Sequence, residues 1–203
     1  MVAIIDYGMG NVASVQKALN FLNVESIITD DHSIIESCDV ILLPGVGSFV
    51  QGMKNLKERN LVDLLTNEVI NKKKKFLGIC LGMQLVMEKG IEPVECAGLG
   101  WIQGDVVKFE LNHLNVPHMG WNNIQIINNK YYENCDSKDF YFIHSYHVVP
   151  KNEEDIAATV NYGTDVVASL QRENIFATQF HPEKSQFAGL SILKKFFEYN
   201  AKS

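Results

Sequence analysis

Basic charge is scarce in this chain. Its 203 residues carry 18 Lys and Arg against 24 Asp and Glu, a net charge of −6. A nucleic-acid-binding surface needs a basic face to hold phosphates, so this balance argues against one. The single basic run, Lys72-Lys73-Lys74-Lys75, reads as a solvated helix end, where lysines suit the negative pole of the helix dipole. Long apolar runs are missing too. None approaches the roughly 18 residues that a membrane-crossing helix needs. Asp6 also interrupts the apolar start, so neither a membrane partner nor a secretory leader is expected. Cysteine is limited to Cys38, Cys80, Cys96 and Cys135, with no CxxC pair of the kind that binds zinc or exchanges disulfides. The expectation is a cytoplasmic, reducing setting in which these residues are thiols. Repeats, low-complexity tracts and linkers are absent as well, so one domain is expected over residues 1–203.

The first half alternates apolar runs with amphipathic ones. Val2–Asp6, Val24–Thr29, Asp39–Leu43 and Phe76–Ile79 read as strands; the last two are continuous and apolar, as strands buried on both faces are. Between them, Val12, Val15, Ala18, Leu19 and Leu22 fall at helical spacing behind a candidate cap, Asn11. Ser48–Lys74 reads as largely helical, and a helix is expected from about Leu81 to Lys89. The second half offers short strand candidates joined by turns, then a closing helix over Ser185–Tyr199. The pattern predicts a three-layer α/β fold: a central, mostly parallel sheet, followed by a mixed or antiparallel C-terminal part. In such sheets sites form beyond the carboxyl ends of the strands. Gly8–Asn11, Pro44–Gly47 and Cys80 all fall there.

Gly78-Ile79-Cys80-Leu81-Gly82 is the strongest chemical signal. A tight strand-to-helix turn crowds its central residue, so the positions two before and two after must be small. Cysteine there is exposed at the sheet edge and sits at a helix N-terminus, which favours a thiolate. A buried cysteine between packing glycines is the competing reading, and the strand–helix context favours the nucleophile. A thiol needs a base, and the base an orienting group. Of six histidines, His181 stands out in Gln179-Phe180-His181-Pro182-Glu183, where Pro182 fixes the backbone between ring and carboxylate. The backbone N–H of Leu81 and the Gly45-Val46-Gly47 turn are candidate donors to an oxyanion, although a plain glycine-rich turn fits the latter equally. On a strand, His144 and His147 would point to opposite faces, so no metal site is expected, and no cofactor is called for.

Together these segments resemble the class I, triad-type glutamine amidotransferases and, within them, the glutaminase subunits of imidazole glycerol phosphate synthase. The likeness covers nearly the whole chain. The Gly-Ile-Cys-Leu-Gly turn and His181-Pro182-Glu183 are shared across the class. Tyr7-Gly8-Met9-Gly10-Asn11, Pro117-His118-Met119-Gly120-Trp121-Asn122 and the Lys184-Ser185 that follows Glu183 point to the synthase subunits. The resemblance implies a flavodoxin-like fold and a Cys80–His181–Glu183 triad that hydrolyses glutamine. It implies oxyanion positions at Gly47 and Leu81, and substrate contacts from Gln84, Glu92, Ser145 and Tyr146. It further implies that Met119, Gly120, Trp121 and Lys184 face a (β/α)8-barrel cyclase, the partner in a heterodimer that receives ammonia for histidine biosynthesis. Two departures, His147 for the family's more usual tyrosine and Trp101 with Gln103 in Gly98–Gly104, leave open a paralogue serving another synthase, such as a sugar-amidating enzyme. Because glycine flanks Val46 on both sides, the Pro44–Gly47 turn is expected to rotate cheaply. The chain alone is therefore expected to be nearly inactive until its loaded partner binds.

Overall fold

The first strand, β1 (Val2–Ile5), already dictates the layering, because all four of its residues are buried. A computed structural model describes residues 1–92, 94–111, 113–128, 130–133, 135 and 137–199. In it, Ala3 and Ile5 join a cluster with Leu43, Phe49, Met53 and Leu61, whereas Val2 and Ile4 join another with Val15, Leu19, Ile79 and Phe196. Successive side chains of a strand point to opposite faces, so a strand buried throughout must be covered on both. The chain runs from β1 through α1 (Val12–Phe21), β2 (Ser26–Thr29), α2 (His32–Ser37), β3 (Val40–Gly45), α3 (Phe49–Glu58) and α4 (Leu61–Thr66). A π-helical turn leads into β4 (Lys75–Cys80), α5 (Leu81–Leu85), β5 (Met87–Gly90), β6 (Cys96–Ala97) and β7 (Ile102–Lys108). Then follow β8 (His118–Ile126), β9 (Asp139–His144), β10 (Tyr146–Pro150), β11 (Ile156–Asn161), β12 (Asp165–Arg172), β13 (Ile175–Thr178) and α6 (Gln186–Glu198). Asn11 caps α1 as expected, its side chain accepting from the Ser14 N–H at 3.2 Å.

The main sheet has nine strands in the order β2-β1-β3-β4-β13-β12-β11-β8-β9. Pairing is parallel from β2 to β13 and antiparallel from β13 to β9. The antiparallel half thus extends the central sheet, and a small sheet of four strands, β10-β7-β5-β6, packs into the first core. Since β1, β3, β4 and β13 run the same way, the segments after all four emerge along one edge. That edge holds Gly8–Asn11, Pro44–Gly47, Cys80 and His181. Among the described residues, no helix is long and apolar enough to cross a membrane.

Two local expectations fail for tertiary reasons. The helix expected to reach Lys89 stops at Leu85, and β5 follows. Its carbonyls are taken from outside: Leu99 N–H donates to Leu85 at 2.8 Å, Trp101 to Val86 at 2.9 Å and Gly98 to Glu88 at 2.8 Å. A helix would need those same acceptors for its own next turn. The lysine run is only partly solvated. Lys72 and Lys74 flank the fully buried Glu68 carboxylate at 2.6 and 2.7 Å, and Lys74 also donates to the carbonyls of Ile35 and Glu36. The run therefore neutralises a buried charge and ties α2 to the start of β4, work an exposed helix end does not do.

Candidate active site

Cys80 ends β4 with φ +54° and ψ −106°, outside the regions an L-residue adopts without strain. The flanking glycines make the turn possible. A Cβ on Gly82 would stand 1.9 Å from the Leu43 carbonyl oxygen, and one on Gly78 would stand 2.9 Å from the Gly82 oxygen. Strand, turn and helix therefore pack at a separation that leaves no room for a methyl group. The thiol is 5% exposed and lines a cavity of about 500 Å3. The sulfur lies 3.9 Å from the Ile143 carbonyl oxygen and accepts from the Gln179 amide nitrogen at 3.7 Å.

His181 and Glu183 reach the same place from the far side of the sheet's parallel half. Beyond β13, the His181 N–H donates to the Tyr141 carbonyl at 2.9 Å, and Pro182–Lys184 form one 3-10 turn. The buried Ser185 hydroxyl locks that turn, donating to the His181 carbonyl at 2.6 Å and accepting from the Tyr141 N–H at 3.0 Å. The His181 Nδ1–H donates to Glu183 Oε1 at 2.8 Å, with both side chains buried. Nε2 is buried and left for Cys80, which acts on the ring both by charge and by hydrogen bonding. Burial disfavours the charged ring, but the Cys80 sulfur and the Glu183 carboxylate outweigh it and raise the pKa to about 10.

Gly47, Leu81, Gln84, Glu92, Ser145, Tyr146 and Lys184 all line the Cys80 cavity. Gly47 holds φ +110°, a conformation open to glycine, which keeps the Pro44–Gly47 turn close against the cavity. The Glu92 carboxylate accepts from the Phe49 N–H at 3.2 Å, at the N-terminus of α3, and burial raises its pKa. Both amide hydrogens of Gln84 are engaged, by the Tyr146 carbonyl and by Gln179 Oε1, each at 3.1 Å. What Gln84 and Glu92 leave for a ligand is therefore acceptor oxygen, which matches an ammonium group better than a carboxylate. Met119, Gly120 and Trp121 lie outside the cavity on β8, where Met119 is 58% and Trp121 48% exposed. Trp121 meets Tyr141 edge-on with ring centroids 6.1 Å apart, and the Lys184 ammonium lies 5.9 Å from the Tyr141 ring. The exposed strip thus continues through Lys184 to the cavity rim.

Gln179, His118, His144 and Ser185 escaped notice as parts of the site. Ser145 interrupts the chain between β9 and β10, so His144 and His147 do not alternate as on one strand. Both rings approach Phe109, at 5.1 and 4.9 Å. Burial holds His144 at a pKa of about 3 and His118 at about 4, so both rings are neutral at physiological pH. Among the described residues, no group of three or more His, Cys, Asp or Glu is placed to hold a metal ion.

The family model described as class-I glutamine amidotransferase matches residues 3–199. Imidazole glycerol phosphate synthase subunit HisH 1 of Campylobacter jejuni is 49% identical over 199 residues, 97% of this chain and 98% of that one. The subunit of the same name from Methanococcus maripaludis is 46% identical over 203 residues, 98% of this chain and 99% of its own. A crystal structure of a glutamine amidotransferase superimposes with a TM-score of 0.77 over 98% of both chains at 18% identity, a likeness of fold.

Proposed function

The chain belongs to the class-I glutamine amidotransferases, and from that premise we propose that it is the glutaminase subunit of an imidazole glycerol phosphate synthase. The observation that carries the chemistry is a thiol on a strained turn that shares one site with a carboxylate-oriented histidine. The Cys80 thiolate attacks the side-chain carbonyl carbon of glutamine. The oxyanion that forms is met by the N–H groups of Leu81 and of the Gly47 turn. His181 gives its proton to the amide nitrogen, the C–N bond breaks, and ammonia leaves a glutamyl thioester. His181 then takes a proton from water, hydroxide attacks the thioester, and glutamate departs as the thiolate is restored. Gln84 and Glu92 receive the substrate's α-ammonium end, and Ser145 and Tyr146 lie along it.

A (β/α)8-barrel cyclase docks on the strip formed by Met119, Gly120, Trp121 and Lys184, and the heterodimer works in the cytoplasm. Ammonia passes from the cavity to this partner without entering bulk water, where it would protonate and lose its nucleophilicity. Rotation of the peptide between Gly45 and Gly47 gates the reaction. Glutamate release by the purified chain, alone and with the cyclase and its ribonucleotide ligand, tests this reading. The expected result is stimulation of at least about a hundredfold, the range in which one oxyanion donor is gained or lost. Equal rates with and without the loaded partner would overturn both the partner and the gate.

The charge state of His181 sets a second expectation. A ring whose pKa is raised from 6.5 to about 10 keeps its proton below that value and loses it above. The alkaline limb of glutaminase activity in the complex is therefore expected near pH 10 instead of near pH 6.5. Glu183→Gln removes one of the groups that raise it, so the limb moves toward neutrality. Initial rates from pH 6 to 10.5 at constant ionic strength read this directly, and a limb near 6.5 in the unaltered chain would refute the ion pair.

A further inference from the structure

We propose that Gln179 is a hydrogen-bond donor to the Cys80 sulfur, and that the buried pair His118–His144 positions it through the main-chain carbonyl of Tyr146. A peptide carbonyl can only accept. The Tyr146 oxygen receives two hydrogen bonds, from His144 Nδ1 at 2.8 Å and from Gln84 Nε2 at 3.1 Å. These two contacts set the direction of everything beyond them.

On one arm, Nδ1 of the neutral His144 ring carries the hydrogen, so its Nε2 accepts. His118 Nδ1, 3.0 Å from that nitrogen, must then donate, which leaves His118 Nε2 as an acceptor facing the Asn122 amide nitrogen at 3.4 Å. Asn122 is itself oriented by donating to the Asn161 carbonyl at 3.2 Å. On the other arm, the Gln84 amino group turned toward Tyr146 also meets Gln179 Oε1 at 3.1 Å. Gln179 therefore presents its own amino group to Cys80 Sγ at 3.7 Å. Reversing Gln179 would set amino against amino and carbonyl against sulfur. Gln179, Gln84, His118 and His144 are all buried, so water does not compete for these directions. An N–H aimed at sulfur holds the side chain in one direction and offers a partner to the negative charge of an attacking sulfur.

The proposal rests on the glutaminase reading only in taking Cys80 as the nucleophile. Its test reads the thiol without glutamine: the rate of Cys80 alkylation by iodoacetamide at pH 7, resolved by mass spectrometry. Cys38, which is buried, reports on the fold by staying unreactive. Gln179→Leu is expected to slow Cys80 alkylation about tenfold, the worth of one charge-assisted hydrogen bond. In the complex, kcat should fall by a similar factor and KM for glutamine should rise, because Gln84 loses its anchor. His118→Phe should slow alkylation about threefold, and His118→Gln, which can still donate to His144, should restore it.

A measurement on the unaltered chain needs no variant to fold. Nitrogen-15 NMR at pH 7 should show both rings protonated at Nδ1 and bare at Nε2. An Nε2–H on either ring, or wild-type alkylation in Gln179→Leu, overturns the chain of donors. A protein that alkylates normally and passes the NMR test, yet hydrolyses no glutamine with its partner, would refute the glutaminase reading and leave the donor chain standing.

Discussion

Cys80→Ala will lower glutamate release by about 10⁴-fold or more while leaving the fold in place. The loss is large because Cys80 is the group in the cavity that the carboxylate-oriented His181 serves. Ser48 also lines it, but its hydroxyl accepts from the Gln51 N–H at 3.3 Å as the cap of α3. Stability should change little. The side chain is small, and removing its sulfur from a buried site costs about 1 kcal/mol. Alanine carries a Cβ as cysteine does, so the strain at φ +54° persists unchanged. The measurement is glutamate release in the presence of the partner, with a denaturant midpoint as control for folding. Turnover that survived in the folded variant would remove Cys80 from the mechanism.

Gly82→Ala is expected to be among the most damaging single methyl additions around the Cys80 turn. The new Cβ would lie 1.9 Å from the Leu43 oxygen and 3.0 Å from its carbonyl carbon. That carbonyl belongs to β3, which sits between β1 and β4 in the main sheet and pairs Leu43 with Gly78. Neither neighbour can yield, so α5 must move away from the sheet and take Leu81 and Gln84 with it. We expect a loss of about 3 kcal/mol or more, the range for overpacked cores, together with loss of activity. Gly100→Ala provides the comparison. Gly100 has φ +70° but nothing within 4 Å of its would-be Cβ, so it should cost only about 1 kcal/mol of backbone strain. If urea denaturation gave both variants the same midpoint, strain rather than contact would govern the turn.

The tight turn at Cys80 was legible in the sequence because its constraint is local. Cys80 is crowded by residues two positions away on either side, and only glycine satisfies that at 78 and 82. The His181–Glu183 pair was legible for the same reason: one proline and one intervening turn hold ring and carboxylate together. The three layers followed from β1, β3 and β4, whose unbroken apolar runs demand cover on both faces. Tertiary structure decided where the helix after Cys80 ends, because its last carbonyls are claimed by the N–H groups of residues 98–102. It also decided that Lys74 serves the buried Glu68. Above all it decided the alignment of Asn122, His118, His144, Gln84 and Gln179, which come from four separated stretches of chain. No periodicity links those stretches. A hydrogen bond between them exists only because the sheet order brings β8, β9, α5 and the end of β13 within a few ångströms of one another, a distance set by packing and invisible to any local pattern.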